Sequence, residues 1–382
     1  MIMWLFSYAH KNGKIWTEVR KVGDSMKQVK ILHCADLHFD TPFKELTKEI
    51  SQNSKEELLQ VFKNIIDLTI KENVEVLLIA GDVFDNLTVN KNTLFFISNQ
   101  LKRIENVRVF ISPGNHDPYT KNSYYNNFLW NKNVHIFGPK FERIETDNID
   151  IYGYGFDDFY CSNLNFNDLK ISNPNKINIL VIHGTLDGAN LEDMQYNSMS
   201  TRMLQEKGFD YVALGHIHKN NFKNDGKIIY PGSTIAMGFD ELGEHGMVTG
   251  EISKLGNKLE FIKLDELEFK KQELDCTELN SIEEIIEKIN SINLEENKLY
   301  EIILIGKRNF EINVYYLYKF ITEENIIKIK DETQINIDIN ELSKEINLKG
   351  LFLKEILDNK NNENIDENTA EKIIEIGLNV LK

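Results

Sequence analysis

From residue 28 onward, the chain alternates short apolar runs with amphipathic stretches. Five six-residue runs have the Val, Ile and Leu content of strands that are buried on both faces: VKILHC (29–34), EVLLIA (75–80), VRVFIS (107–112), INILVI (177–182) and DYVALG (210–215). Apolar residues at helical spacing predict helices near 91–105 and 198–207, and a further helix after a capping box formed by Ser54 and Glu57. This pattern is typical of a layered α/β domain.

Shorter apolar runs predict additional strands and hairpins. They lie at 134–137, 141–145, 149–153, 228–230, 246–253 and 258–264. A layered domain buries such strands best as a second sheet packed on the first. The predicted fold class is therefore α/β, a layered β-sandwich flanked by helices, followed by a smaller α/β domain.

The smaller domain is predicted from a helix, a strand, a helix and a strand at 281–292, 299–305, 311–322 and 326–332. A polar gap (358–368) precedes a C-terminal amphipathic helix, for which Asn368 and Glu371 are the predicted cap. The apolar stripe of this helix consists of Ala370, Ile373, Ile374, Gly377, Leu378 and Leu381. Two interpretations stay open, since the stripe can pack on its own domain or be presented to another protein.

Charge and composition place a domain boundary close to residue 264. The net charge is −16, and residues 265–382 account for −12 of it with 27 acidic and 15 basic side chains. All nine histidines and all six prolines precede residue 265. We therefore predict four regions: a non-core extension (1–25), a catalytic domain (26–264), a capping domain (265–357), and a polar linker with the terminal helix (358–382). Met26 is an alternative start of translation.

Cysteine usage and hydropathy exclude two classes of protein. The three cysteines, Cys34, Cys161 and Cys276, form no Cys-x-x-Cys pair, which excludes a disulfide framework and a thiolate zinc cluster. They favour a reducing compartment, and we expect a cytoplasmic protein. No apolar run approaches the roughly 20 residues that a membrane-spanning helix needs, so we expect no membrane association through such a helix.

Polar side chains follow each of the five buried strands. They are Asp36 and His38, then Asp82 and Asp85, then Asn115, His116 and Asp117, then His183, and finally His216 and His218. Because a site in an open α/β sheet forms at the carboxyl ends of its strands, we expect these groups to converge. Oxygen donors mixed with imidazoles suit Mn(II), Fe or Zn.

A nearest-neighbour division predicts two metal sites. One uses Asp36, His38 and His218, the other uses Asn115, His183 and His216, and Asp82 bridges them. Two divalent ions can hold a phosphate and activate water, which predicts phosphoester hydrolysis. His116 would donate a proton to the leaving oxygen or stabilise charge on the phosphoryl group, with Asp85 or Asp117 orienting it.

Several blocks resemble the calcineurin-like metallophosphoesterase superfamily over about residues 28–264. Most similar is its DNA-repair exonuclease branch, the bacterial SbcD- and YhaO-type nucleases, in the blocks ILHCADLHFDTPF (31–43), GDVFD (81–85), PGNHD (113–117), LGHIH (214–218) and YPGST (230–234). The resemblance implies a Mn(II)-dependent exonuclease or endonuclease on DNA ends, with a capping domain after the core. It also implies an SMC-like coiled-coil ATPase partner. Whether the chain forms a homodimer stays open.

Three functions remain open from the sequence. The first is a DNA nuclease, the second is a phosphoesterase for small phosphodiesters, nucleotides or phosphoproteins, and the third is a scaffold with a structural metal site. The retained His116 disfavours the third, because a structural site needs no proton donor.

Two groups of side chains bear on the choice between DNA and a smaller substrate. The basic set is Lys140, Arg143, Arg202, Lys207, Lys219, Lys223 and Lys227, and the aromatic set is Tyr124, Tyr125, Phe128 and Trp130. The basic side chains can bind DNA phosphates or be ordinary solvated surface. The aromatic side chains can stack on bases or belong to a helix that packs on the core.

Overall fold

The protein is described by a computed structural model. It describes residues 5–11, 14–20, 28–44, 46–161, 164–188, 196–310, 312–335, 339–361 and 365–381. The chain divides into two compact units, Met1–Lys270 with Asn297–Leu299, and Lys271–Glu296 with Tyr300–Lys382. Among the described residues, no helix is both long enough and apolar enough to span a membrane.

The strands and helices are numbered in chain order. The strands are β1 (Leu5–Lys11), β2 (Lys14–Arg20), β3 (Gln28–Cys34), β4 (Val76–Ile79), β5 (Arg108–Ile111), β6 (Val134–Ile136), β7 (Glu142–Glu145), β8 (Ile149–Tyr154), β9 (Ile177–His183), β10 (Tyr211–Gly215), β11 (Ile228–Ile229), β12 (Gly246–Ser253), β13 (Lys258–Lys263), β14 (Glu268–Asp275), β15 (Lys298–Ile305), β16 (Lys307–Arg308), β17 (Ile326–Asp331) and β18 (Gln334–Ile335). The helices are α1 (Lys48–Lys71), α2 (Lys91–Lys102), α3 (Tyr124–Asn127), α4 (Thr201–Lys207), α5 (Ile282–Asn290), α6 (Val314–Leu317), α7 (Ile339–Leu342), α8 (Leu348–Asn361) and α9 (Glu367–Val380).

Two sheets form the centre of the first unit, as the sequence predicts. One has six strands in the order β13-β12-β3-β4-β5-β6, and the other has five in the order β11-β10-β9-β8-β7. Strands β3 to β6 run parallel to one another, and so do β8 to β11 in the other sheet, whereas β12 and β7 pair antiparallel to β3 and β8. The carboxyl ends of the five predicted buried strands therefore lie along two edges. The ends of β3, β4 and β5 form an edge of the six-stranded sheet, and the ends of β9 and β10 form an edge of the five-stranded sheet.

The layering follows from which faces of the strands are apolar. Side chains from both sheets, including Ile31, Leu78, Ile179 and Tyr211, form one buried cluster between them. The other face of the six-stranded sheet packs on α1 and α2, and the other face of the five-stranded sheet packs on α4. The unit is a helix-flanked β-sandwich, which confirms the predicted fold class.

The start of the first helix differs from the prediction. The helix α1 begins well before Ser54, at the N-cap Thr47, whose hydroxyl accepts a hydrogen bond from Ile50 N at 3.4 Å. Ser54 is instead a buried residue inside the helix. The Glu57 carboxylate accepts a hydrogen bond from Glu266 N at 2.9 Å. The Glu57 side chain, which the sequence pattern assigned to a helix cap, therefore makes a tertiary contact instead.

In the second unit, strands β15 and β17 pair in parallel and α5 packs on them through Ile285 and Ile289. The predicted helix at 311–322 is shorter, since α6 spans only Val314–Leu317. Near the C-terminus, α8 runs to Asn361, so the first residues of the predicted linker are helical.

The terminal helix α9 is capped differently from the prediction. Its N-cap is Asp366, whose carboxylate accepts a hydrogen bond from Thr369 N at 2.9 Å. The stripe residues Ile374 and Leu378 form a buried cluster with Leu353 of α8. Of the two interpretations left open by the sequence, packing within its own unit is the one that these contacts show.

Along the first 25 residues, β1 and β2 pair as an antiparallel hairpin. The sequence pattern predicts no element there. The alternative start at Met26 falls on residues outside the described part of the chain.

Candidate metal centre and active site

The two sheet edges deliver the predicted donors to one place. Asp36, Asp82 and Asn115 follow strands of the six-stranded sheet, whereas His183 and His216 come from the ends of β9 and β10 in the other sheet. The two edges touch, because a Cβ atom on Gly215 would lie only 1.8 Å from Ala80 O.

Several of these residues have a backbone conformation that L-residues avoid. Asp36, His38, Asp82 and His216 have positive φ angles of 51°, 46°, 48° and 108°. Such strain persists only where the surrounding structure enforces it, and it concentrates at functional sites. The backbone is thus left-handed after β3, β4 and β10, at residues that carry candidate ligands.

One donor trio consists of Asp36, His38 and His218, whose ligand atoms all lie within 4.8 Å of one another. Asp36 is fully buried and His38 is nearly so. The Nε2 atoms of His38 and His218 are 3.1 Å apart. This is the trio that the sequence analysis assigned to one metal.

The chemistry of this trio fits a divalent metal. The Nδ1 atom of His218 lies 2.6 Å from the Glu241 carboxylate, and the Nδ1 atom of His38 lies 3.4 Å from Asp85 Oδ1. Each ring thus turns Nδ1 toward a carboxylate and Nε2 toward the other ring. With each Nδ1 hydrogen on its carboxylate, the two Nε2 atoms are free to bind a metal ion, which Asp36 would also ligate.

The second group of donors surrounds Asn115. The Oδ1 atom of Asn115 lies 3.0 Å from His183 Nε2 and 3.1 Å from His216 Nδ1. Asp82 Oδ2 lies 3.2 Å from the same His183 nitrogen and 3.7 Å from His38 Nε2, so it reaches toward both groups. The structure therefore places all seven predicted ligands around one centre, with Asp82 between the two sets.

Buried charge in this centre shifts the pKa values of its members. Burial alone would raise the pKa of Asp82, but the charge and hydrogen bond of His183 outweigh it and hold that pKa well below its usual range. Burial likewise opposes charging of His183, yet Asp82 and Asp36 raise its pKa to about 9. Burial and the charge of His183 lower the pKa of His216 to about 3. The buried carboxylates thus require positive charge, which bound metal ions would provide.

The predicted proton donor, His116, is exposed beside this centre. Its ring lies 4.8 Å from the His38 ring, and its backbone N donates a hydrogen bond to Asp82 Oδ1 at 2.9 Å. Its Nδ1 atom lies 3.1 Å from the main-chain oxygen of Asp85. Asp85 therefore contacts His116 as the sequence suggests, but through its backbone, whereas its carboxylate faces His38.

The other predicted orienting residue, Asp117, does not contact His116 with its carboxylate. Its oxygens accept hydrogen bonds from Gly114 N at 2.8 Å, Phe84 N at 3.0 Å and Tyr125 Oη at 2.5 Å. Burial raises the pKa of Asp117 to about 7, and the charge of Asp82 adds to that shift. Asp117 joins the loops after β4 and β5, and so it holds the backbone on which His116 stands.

The aromatic segment 122–130 mainly packs on the core. Tyr125 is buried with its hydroxyl on Asp117, and Tyr124, Phe128 and Trp130 pack against the core below α2. Another aromatic lies at the metal centre, since the Tyr196 ring is 4.9 Å from the His216 ring. Tyr160, which is 59% exposed, stands next to Tyr196 with its ring at 5.8 Å. No sequence motif marks this tyrosine pair.

The predicted basic rim is only partly available. Arg143 pairs with Asp150, Arg202 pairs with Glu206, and Lys207 donates to the main-chain oxygens of Phe166 and Leu169. The exposed members of the set are Lys140, Arg143, Arg202, Lys219, Lys223 and Lys227. Of these, Lys219 directly follows the candidate ligand His218 in the chain.

Four further histidines and Cys34 lie outside the predicted ligand set, and the structure accounts for most of them. His33 is buried between the sheets with Nδ1 2.9 Å from Tyr211 Oη, and Cys34 is a buried core residue. His135 pairs with Glu142 on the surface, whereas His10 lies in β1. His245 is buried and lies 2.8 Å from Ser233 Oγ in the loop that carries Glu241.

Comparisons with known proteins agree with this geometry. The chain is 27% identical over 277 residues to the uncharacterized metallophosphoesterase YhaO of Bacillus subtilis (strain 168), covering 69% of this chain and 67% of YhaO. It is 26% identical over 341 residues to the DNA double-strand break repair protein Mre11 of Saccharolobus solfataricus, covering 81% and 84% of the two chains. It is 25% identical over 246 residues to a component of the nuclease SbcCD of Staphylococcus epidermidis, covering 56% of this chain and 64% of that one. Residues 29–220, about half of the chain, match the calcineurin-like phosphoesterase family, and the chain therefore belongs to this family of metal-dependent phosphoesterases.

Proposed function

We propose that this chain is a DNA nuclease that hydrolyses phosphodiester bonds with two divalent metal ions, Mn(II) in the cell. The observation that carries the proposal is the exposed His116 beside seven converging donors. A structural metal site has no use for an exposed imidazole next to its ligands.

Each side chain then has a defined task. Asp36, His38 and His218 would hold one ion, and Asn115, His183 and His216 the other, with Asp82 placed between the two sets. Bound divalent ions would supply the positive charge that binds the phosphate and lowers the pKa of a water molecule. His116 keeps its Nδ1 hydrogen on the Asp85 main-chain oxygen, which leaves Nε2 to protonate the departing oxygen.

Three observations favour DNA over a small phosphodiester. The similarity to Mre11 covers 81% of this chain and so extends past the phosphoesterase match, and that relative is a DNA double-strand break repair protein. The tyrosine pair formed by Tyr160 and Tyr196 provides an aromatic surface next to His216, on which a nucleobase can stack. Lys219 adds an exposed positive charge beside the same strand end.

The remaining expectations belong to this proposal. The predicted capping domain, residues 265–357, would cover the catalytic domain. The staphylococcal relative is one component of the nuclease SbcCD, which supports a partner for this chain as well, and we propose an SMC-like coiled-coil ATPase. We also propose a cytoplasmic location and leave the homodimer as a prediction for sedimentation measurements.

The test uses the full chain and DNA labelled at one end. Purified protein is incubated with single- and double-stranded DNA in Mn(II), Mg(II) or EDTA. We expect Mn(II)-dependent degradation that falls by about 10²–10⁴-fold in His116→Ala, because general acid catalysis contributes a factor of this size. His135→Ala is the matched control, since it removes a histidine that pairs with Glu142 away from the centre.

Metal binding by His116→Ala is measured alongside, and we expect it to equal that of the wild type. Hydrolysis of a small chromogenic diester with no cleavage of either DNA form would contradict the nuclease and favour the small-substrate alternative. Equal activity of His116→Ala and His135→Ala would remove His116 from the mechanism.

A further inference from the structure

The metal centre has a neighbour that no sequence motif marks. Glu241 lies in the loop between β11 and β12, 23 positions after His218. Its Oε1 atom is 2.6 Å from His218 Nδ1. A contact this short between a carboxylate and an imidazole is typical of a charge-assisted hydrogen bond.

The Glu241 side chain is itself held from a second direction. Its Oε2 atom accepts a hydrogen bond from Met237 N at 2.9 Å and lies 3.4 Å from Ser233 Oγ. The backbone is also fixed, because the Glu241 main-chain oxygen lies 3.0 Å from His245 Nε2. His245 in turn contacts Ser233, so the loop forms a closed network around the carboxylate.

Each oxygen of the Glu241 carboxylate therefore accepts a different hydrogen bond, Oε1 from His218 Nδ1 and Oε2 from Met237 N. Only a group that accepts on both sides can satisfy His218 Nδ1–H and Met237 N–H at once. With its Nδ1 hydrogen committed to Glu241, the His218 ring presents Nε2 as a lone pair toward His38 and Asp36. A carboxylate partner of this kind fixes the tautomer of a ligating histidine and raises its basicity.

The other histidines of the centre are held differently. His183 Nδ1 lies 2.8 Å from the main-chain oxygen of Ala80, and His116 Nδ1 is on the Asp85 main-chain oxygen. Within the first donor trio, Glu241 makes the closer of the two carboxylate contacts, since Asp85 lies 3.4 Å from His38 Nδ1. The influence of Glu241 should thus be confined to the metal site that contains His218.

We propose that Glu241 is the positioning residue that orients His218 for the metal ion bound by Asp36, His38 and His218. The inference rests on the proposed function, because it requires the proposed metal site. It concerns one of the two ions only, and this selectivity separates it from a general role in folding.

The test measures Mn(II) binding to the full chain by titration calorimetry, without DNA. Glu241→Gln preserves the size of the side chain but can accept on one side only, because its amide nitrogen donates. We expect the wild type to bind two Mn(II) ions and Glu241→Gln to bind one of them about 10–100-fold more weakly. Glu244→Gln, the same change at an exposed position in the same loop, should bind both ions like the wild type.

A double-mutant cycle with His218→Ala makes the test specific. If Glu241 acts through His218, Glu241→Gln has no further effect on the remaining Mn(II) ion once His218 is absent. Weakening of both ions, or the same loss in the His218→Ala background, would mean that Glu241 supports the fold as a whole and would overturn the proposal. So would unchanged binding by Glu241→Gln. Absence of Mn(II) binding by the wild type would instead refute the metal site itself.

Discussion

At Gly215 the two sheets come so close that a methyl group does not fit between them. A Cβ atom there would lie 1.8 Å from Ala80 O and 2.9 Å from His183 Nδ1. Because the obstacle is main chain at the end of β4, it cannot rotate away as a side chain can. The missing side chain at Gly215 lets the donors of one sheet reach the donors of the other.

We therefore predict that Gly215→Ala both destabilises the protein and weakens metal binding. Forcing extra volume into a packed interior costs about 1–3 kcal/mol. The control is Gly138→Ala, whose Cβ would meet only the flexible Glu142 side chain, at 3.4 Å. Urea denaturation should separate the two variants, with Gly138→Ala within about 0.5 kcal/mol of the wild type. Equal stability of the two variants would show that the sheets adjust freely here.

Among the elements of the second unit, the α8–α9 pair has a small core. In the part of the chain that the structure describes, Leu353, Ile374 and Leu378 are buried in this cluster, with four partly buried residues around them. The two helices also approach closely, since a Cβ on Gly377 would overlap the Phe352 ring. A cluster of this size makes the pair depend strongly on each member.

Leu353→Ala should consequently open this helix pair before the rest of the chain unfolds. Loss of a fully buried leucine costs about 2–5 kcal/mol. Leu351→Ala is the matched control on the same helix, because Leu351 is 63% exposed. Hydrogen exchange over residues 348–381 should become faster in Leu353→Ala and stay unchanged in Leu351→Ala. Unchanged exchange in Leu353→Ala would contradict the prediction, because it would show that the buried leucine does not hold the pair together.

At the scale of the whole molecule, the candidate metal centre connects the two sheets of the first unit. Asp36, Asp82 and Asn115 belong to one sheet edge, and His183 and His216 belong to the other. Ions bound between them would act as crosslinks that exist only in the folded state. Ligands of this kind stabilise a protein by mass action.

Mn(II) should therefore raise the melting temperature of the chain, and EDTA should lower it. At a free concentration of about 100 times the Kd, one site adds about 2.7 kcal/mol, which corresponds to roughly 5–10 °C for a domain of this size. Differential scanning fluorimetry with and without Mn(II) measures the shift. Asp36→Asn, which removes a buried donor, should abolish most of it. The same shift in Asp36→Asn as in the wild type would place the stabilising ion elsewhere.

The arrangement of the first unit could be predicted because its strands are short, continuous and apolar. A run such as INILVI has to be buried on both faces, and its neighbours with the same pattern pair with it. Helix ends were less predictable. Ser54 and Glu57 have the spacing of a cap, but Glu57 bonds to Glu266 N, a contact across 209 positions that no local pattern contains.

By itself, the sequence determined where the polar groups stand, since each follows a buried strand and parallel strands bring their carboxyl ends to one edge. Only the tertiary structure decided which atoms meet. Asp85 holds His116 through its backbone, Tyr196 packs against His216, and Glu241 rather than Asp240 or Glu244 reaches His218. Which side chain makes each contact depends on how loops from different strands pack. The sequence alone cannot distinguish them, because neighbouring residues of the same chemical type could make the same contact.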